Sequence, residues 1–257
     1  MSGATNAVPN SWQYANQGPG PQRFPLGPGH RALGRGLTLL LAGCAGVSLA
    51  KVMQDLYGIA LFTGGTGNPS TVVANNWADI FFVNSMLLGL RGLLVLATGI
   101  ATITWLYQAY GSREADPAFL PHERWWTIGG WLIPGICFRR PLQLMRNLYL
   151  ATAGTRLATT DARTQERPRS QVRCPSCFTW WWACFLIGNT LTSPLFTSLN
   201  QKSSFSERQN AITVDLVGQV LLIAAAWFFV TVLGSITSQM ERCSSESTAT
   251  ARNTSVR

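Results

Sequence analysis

Apolar residues in this chain of 257 gather into long runs separated by polar segments, a pattern that belongs to membrane spans more than to the faces of a soluble core. The first run, residues 36–54, carries Lys51 only at its far end. At ~1.5 Å of rise per residue, such a run just crosses a hydrocarbon core of ~30 Å. Gly64, Gly65, Gly67, Asn68 and Pro69 follow, a combination of permissive residues and a helix breaker that predicts a loop. A second span is predicted over residues 87–108, interrupted by Arg91. A third is predicted over 178–199, opened by Trp180, Trp181 and Trp182 as an interfacial belt and kinked or ended near its far side by Pro194. The fourth is predicted over 212–236.

Between the second and third spans, residues 111–175 predict a hairpin rather than a further crossing. Its apolar part, residues 125–138 (WWTIGGWLIPGICF), has about fourteen residues, the length of an interfacial or re-entrant segment. Gly129, Gly130 and Pro134 would break a helix there, and a break is least costly at the headgroup level, where tryptophans also sit. After Arg139, Arg140 and Pro141, the stretch PLQLMRNLYLAT places Leu142, Met145, Leu148, Tyr149 and Thr152 on one helical face beside Arg146. That is the pattern of an amphipathic surface helix, so residues 125–153 are assigned to the interface. Residues 154–173 read as a solvated basic linker, and residues 1–34 and 238–257 as disordered tails around the membrane domain of residues 35–237.

Composition supports this reading: 47% of residues are hydrophobic and 12% charged, against about 25% charged in an average soluble domain. The net charge of +9 marks topology, since the basic residues flank apolar runs and do not form one phosphate-binding surface; no nucleic-acid partner is expected. The two tails and the hairpin hold about 16 Lys and Arg and the two short loops about 3, so the positive-inside rule puts both termini in the cytoplasm of a cell-membrane protein. Promoting residues 125–138 to a fifth span would export part of this charge, which the same rule disfavours.

Within this frame the motifs come in a specific order. ITWLYQAYGSRE precedes Trp126-Thr-Ile-Gly-Gly-Trp131, with Pro134 three residues on; Arg140-Pro141 opens the helix LQLMRNLY, and Trp180-Trp181-Trp182 opens the next span. The series resembles actinobacterial membrane proteins grouped as domain of unknown function 4328, which carry W-L-Y-x-A-x-x-N, then W-x-x-G-x-W-x-x-P, then a basic residue and proline before an amphipathic helix. The likeness covers roughly residues 35 to 237. Ser112 stands where the family has its asparagine. The resemblance implies a four-span bacterial inner-membrane protein with a long cytoplasmic hairpin, and no assigned activity.

Candidate chemistry is sparse. Cys174 and Cys177 are spaced as a redox pair at a helix start, but the charge count puts them in the reducing cytoplasm, and the scattered Cys44, Cys137, Cys184, Cys243, His30 and His122 complete no zinc spacing. Incidental interfacial cysteines, open to acylation, rank first; a metal half-site completed by another chain ranks next and a redox pair last. Leu41-Ala-Gly-Cys44 matches the end of a lipoprotein signal, yet Gly36 to Leu41 is shorter than the roughly 7–15 residues of such a signal's apolar region, so Cys44 is read as packing within a span. Arg91 and Asp215, both placed toward the outer leaflet, are the charges predicted within spans and form a candidate ion pair. Snorkelling or a structural tie is the economical account of them. Trp125, Trp126, Trp131, Arg139, Arg140 and Arg146 form an interfacial or partner-binding cluster, with anchoring to anionic lipid ranked first. There is no G-x-x-x-x-G-K-[ST], H-E-x-x-H or G-x-S-x-G, so neither an enzyme nor a cofactor is expected.

The sequence thus predicts an all-α, polytopic integral membrane protein with four transmembrane helices and a cytoplasmic interfacial hairpin. The role it favours is a non-enzymatic scaffold, adaptor or accessory subunit whose partners are the lipid bilayer and another membrane protein or a second copy of itself. The alternative is a small transporter or channel-like protein using Arg91 and Asp215; a thiol or metal protein using Cys174 and Cys177 ranks below both.

Overall fold

The computed structural model describes residues 24–25, 27–64, 69–117, 120–160, 174–193 and 205–255. Six helices follow in order among them: α1 (Pro28–Gly64), α2 (Pro69–Tyr110), α3 (Trp126–Leu132), α4 (Arg140–Thr160), α5 (Cys177–Leu191) and α6 (Phe205–Ser255), with a 3₁₀ turn at Ile136–Phe138. No strand occurs among the described residues; Phe24 and Ser112 make one isolated bridge that pins the chain before α1 to the end of α2. Proline opens both α1 and α2, where its missing N–H has no intrahelical partner to lose.

Among the described residues, three stretches are long and apolar enough to cross a membrane: Pro28–Ala60, Phe82–Tyr110 and Asn210–Ser245, which contain the first, second and fourth predicted spans. The third prediction meets α5, which is only 15 residues long. Thr192 caps it, and residues 194–199 of that prediction lie outside the described residues. The two tails differ from expectation. Residues 28–34 belong to α1 and residues 238–255 to α6. Each was expected to be disordered because it lacks an apolar face of its own, but both ends find partners: Arg31 pairs with Glu241 at 3.2 Å, Gln239 accepts from Thr152 at 2.8 Å, and Met240 and Cys243 are buried.

α6 is the central element, packed along α5 and α1, while α1 also packs along α2 and α4 lies across the C-terminal part of α6. The tightest core sits at the hairpin end, where Leu37, Trp105, Leu106, Leu144, Met145, Leu148, Phe178, Val232 and Ile236 are fully or nearly fully buried. On the outside of the bundle, Leu39, Leu93, Leu96, Ile100 and Trp227 are exposed, as side chains solvated by lipid are. α4 turns its apolar face onto protein: Leu144, Met145, Leu148, Ala151 and Thr152 are buried, and Tyr110 donates to the carbonyl of Leu144 at 2.9 Å. The amphipathic pattern predicts a surface helix lying on the bilayer; the bundle covers its apolar face instead.

The break in the hairpin follows from two residues. Ile133, preceding Pro134, leaves the helical region (ψ 117), since a proline ring disfavours the α conformation in the residue before it. Gly135 then takes φ 81, in the left-handed region that only glycine occupies at little cost.

Candidate functional site

Toward the end of the bundle away from the hairpin, four charged side chains converge. Lys51 lies between two carboxylates, hydrogen-bonded to Asp55 one turn on in α1 and 3.2 Å from Asp215 of α6. Arg91 of α2 donates to Thr192 at 2.7 Å and to Asn189 at 3.5 Å, both on or just after α5. Gln219, one turn after Asp215, donates to it at 3.5 Å. Three separate helices and the end of α5 therefore supply one polar cluster, which lines a cavity of about 310 Å³ together with Val47, Asn84 and Ile212.

A second cavity of about 250 Å³ continues toward the hairpin, and Arg91 borders both. Its walls are aromatic and apolar, with Trp131, Trp181, Trp182, Phe185 and Phe229 at one side and Cys44, Ser48, Thr98 and Thr102 supplying small polar groups. Stacking builds this wall: Trp181 lies on Phe229 with centroids 4.4 Å apart and planes 7° from parallel, and Trp131 meets Trp182 edge-on at 6.0 Å. Trp182 is fixed by a 2.6 Å hydrogen bond to the carbonyl of Phe138, so the hairpin sets the floor of the cleft.

Arg91 and Asp215 line one cavity and attract each other across it, without direct contact. Asp215 pairs with Lys51, and Arg91 is held by neutral oxygens while lining the same cavity. Lys51 stands at the end of its apolar run, and neither Asp55 nor Gln219 belongs to a motif. Their i, i+4 spacings, Lys51 to Asp55 and Asp215 to Gln219, were the available signal, since such residues meet on one helix face.

The interfacial cluster divides likewise. Trp131 points into the cleft. Arg140 stacks its guanidinium 4.8 Å over Trp126 and contacts His122, whereas Arg146 donates to Thr179 at 2.6 Å. Trp125 and Arg139 stay exposed, as an anchor would. The motif's glycines have packing reasons: a Cβ on Gly130 would sit 3.1 Å from Arg140 Cβ, and one on Gly129 2.8 Å from the Trp125 ring.

Cys174 and Cys177 are free thiols, and burial pushes both upward, Cys174 to about 11. That is the reverse of the lowered value a redox or metal-binding thiolate needs. No group of three metal-ligating side chains occurs among the described residues.

The family model for the domain of unknown function DUF4328 matches residues 70–238, from the start of α2 through most of α6. This chain belongs to that family. Neither a curated protein nor a solved structure matches it. Within this DUF4328 protein the matched region contains the hairpin, Arg91 and Asp215, while Lys51 and Asp55 lie before it. The polar cluster is thus assembled between the family region and the preceding helix.

Proposed function

We propose that this protein is a four-span cell-membrane protein, with both termini in the cytoplasm, that binds a small polar solute in the cleft between its helices. It acts as a small transporter or as the binding subunit of a larger membrane assembly, without covalent chemistry of its own. The observation that carries this is the cluster of Lys51, Asp55, Asp215 and Arg91 around a cavity inside apolar helices. Charged residues within spans are costly wherever lipid surrounds them, and such residues commonly mark solute or ion pathways. The positive-inside count supports the orientation, with α5 standing where the third span is predicted.

The test is water access. In a cysteine-free background, Val47→Cys, on the cavity wall, should react with a small membrane-impermeant thiosulfonate added outside cells. Lack of labelling in cells and in detergent alike would remove the solute-site reading.

A second reading, an adaptor that anchors on lipid or a partner membrane protein through the hairpin, rests on Leu132 and Phe138, 70% and 62% exposed beside Trp125 and Arg139. Leu132→Ser with Phe138→Ser should then release co-purifying protein or lipid and leave cleft labelling unchanged.

A further inference from the structure

The cleft also indicates what kind of solute it takes, an inference that rests on the solute-site reading above. Two acceptor atoms on its polar wall have no donor among the described residues: Oδ2 of Asp55 and Oε1 of Gln219. Both side chains are buried, with 7% and 2% of their residues' surface exposed, and both line the cavity. Buried acceptors left unmet are costly, so their natural complement is a ligand that brings N–H or O–H groups. An ammonium supplies three donors and a positive charge beside the carboxylates.

Arg91 presents the opposite requirement on the same cavity. Its hydrogen bonds go to the neutral oxygens of Thr192 and Asn189, and no carboxylate among the described residues is in contact with it, Asp215 acting on it only across the cavity. A guanidinium in this state is a fork for a carboxylate. The cluster itself is balanced, with Lys51 and Arg91 against Asp55 and Asp215. A lone cation or anion would disturb that balance in a low-dielectric setting; a net-neutral ligand does not.

We infer that the site takes a small zwitterion of the α-amino acid class, its ammonium on Asp55 and Gln219, its carboxylate on Arg91, and an apolar side chain passing Arg91 into the aromatic cavity. That lower cavity, walled by Trp181, Phe185 and Phe229, has room for a branched aliphatic or aromatic group at about 250 Å³.

The purified full chain in detergent is titrated with L-leucine, with 3-methylbutylamine, which lacks the carboxylate, and with 4-methylpentanoate, which lacks the amine, reading the thermal unfolding midpoint. Leucine should raise the midpoint in a saturable way while neither half does so at the same concentrations. Arg91→Lys keeps the charge but loses the fork, and Gln219→Leu keeps the volume but loses the acceptor; each should weaken leucine binding by about tenfold or more. Their unliganded midpoints report whether they fold. Equal binding of the amine alone, or no binding of leucine, phenylalanine or glycine by protein whose Val47→Cys variant is labelled, overturns the zwitterion assignment and leaves the solute site standing. An unlabelled Val47→Cys overturns the solute site itself.

Discussion

Gly188 of α5 and Gly218 of α6 meet backbone to backbone: a Cβ on Gly188 would lie 3.1 Å from the carbonyl oxygen of Gly218, and one on Gly218 would lie 2.6 Å from Thr192 Cγ2. Helices in lipid associate through such close approach, because burial of apolar surface gains little where the solvent is also apolar. The crossing sets Thr192, which accepts from Arg91, against Gly218, the residue before Gln219, which donates to Asp215. Gly218→Val should therefore loosen both the crossing and the cleft. The expected result is a lower unfolding midpoint in detergent together with faster labelling of Val47→Cys; Gly234→Ala, at a position with open space around it, is the control that should change neither.

Lys51 holds two carboxylates that would otherwise face each other within the bundle. Removing one partner of a buried ionic group typically costs ~3–5 kcal/mol because the remaining charges are left uncompensated. Lys51→Met should be strongly destabilising. Lys51→Met with Asp55→Leu removes one charge of each sign, leaves Asp215 on the same cavity as Arg91, and should fold better than the single variant, measured by the yield of monodisperse protein and its unfolding midpoint.

The thiol of Cys174 has its value raised to about 11 by burial, with Arg146 opposing the shift. At neutral pH its thiolate fraction should be roughly a hundredfold below that of an ordinary thiol, since each unit is a factor of ten. Alkylation of a variant retaining only Cys174 should be slow at pH 7.5 and accelerate steeply above pH 9. Rapid labelling at neutral pH would return the redox reading to consideration.

His122, against Arg140 and Trp126 in the hairpin, is held below its ordinary value by burial first and by the Arg140 cation second. A depressed value means that the unfolded chain takes up the proton more readily, so the contribution to stability is present above about pH 6.5 and is lost as pH falls through the lower, folded value. The unfolding midpoint should drop between pH 7 and pH 5. His122→Asn should remove part of that drop; an identical profile would show that the hairpin does not depend on this contact.

Much of the architecture was legible in the sequence, because a span is written locally. Residues 36–54, 87–108 and 212–236 each lie within a helix apolar enough to cross a membrane, and the hairpin breaks at Pro134 as the sequence places it, although Gly129 and Gly130, expected to break it as well, lie inside α3. The family was legible too, since its glycines and tryptophans serve tight contacts within short stretches, such as Gly130 on Arg140.

The candidate site was not legible in the same way. Sequence supplies the charges but not their neighbours, and Arg91 and Asp215 were paired because both were predicted toward the same leaflet. Rotation of each helix about its axis decides which residues meet, and that rotation is set by packing between elements distant in sequence, through contacts such as Gly188 with Gly218 and Trp181 with Phe229. The same reason explains the tails. Residues 28–34 and 238–255 look unstructured when read alone, and their helices carry contacts that exist only because α1, α4 and α6 come together, including Arg31 with Glu241 and Thr152 with Gln239. Hydrophobic runs determined where three membrane-crossing stretches lie; tertiary packing decided how far their helices extend and which polar groups they enclose.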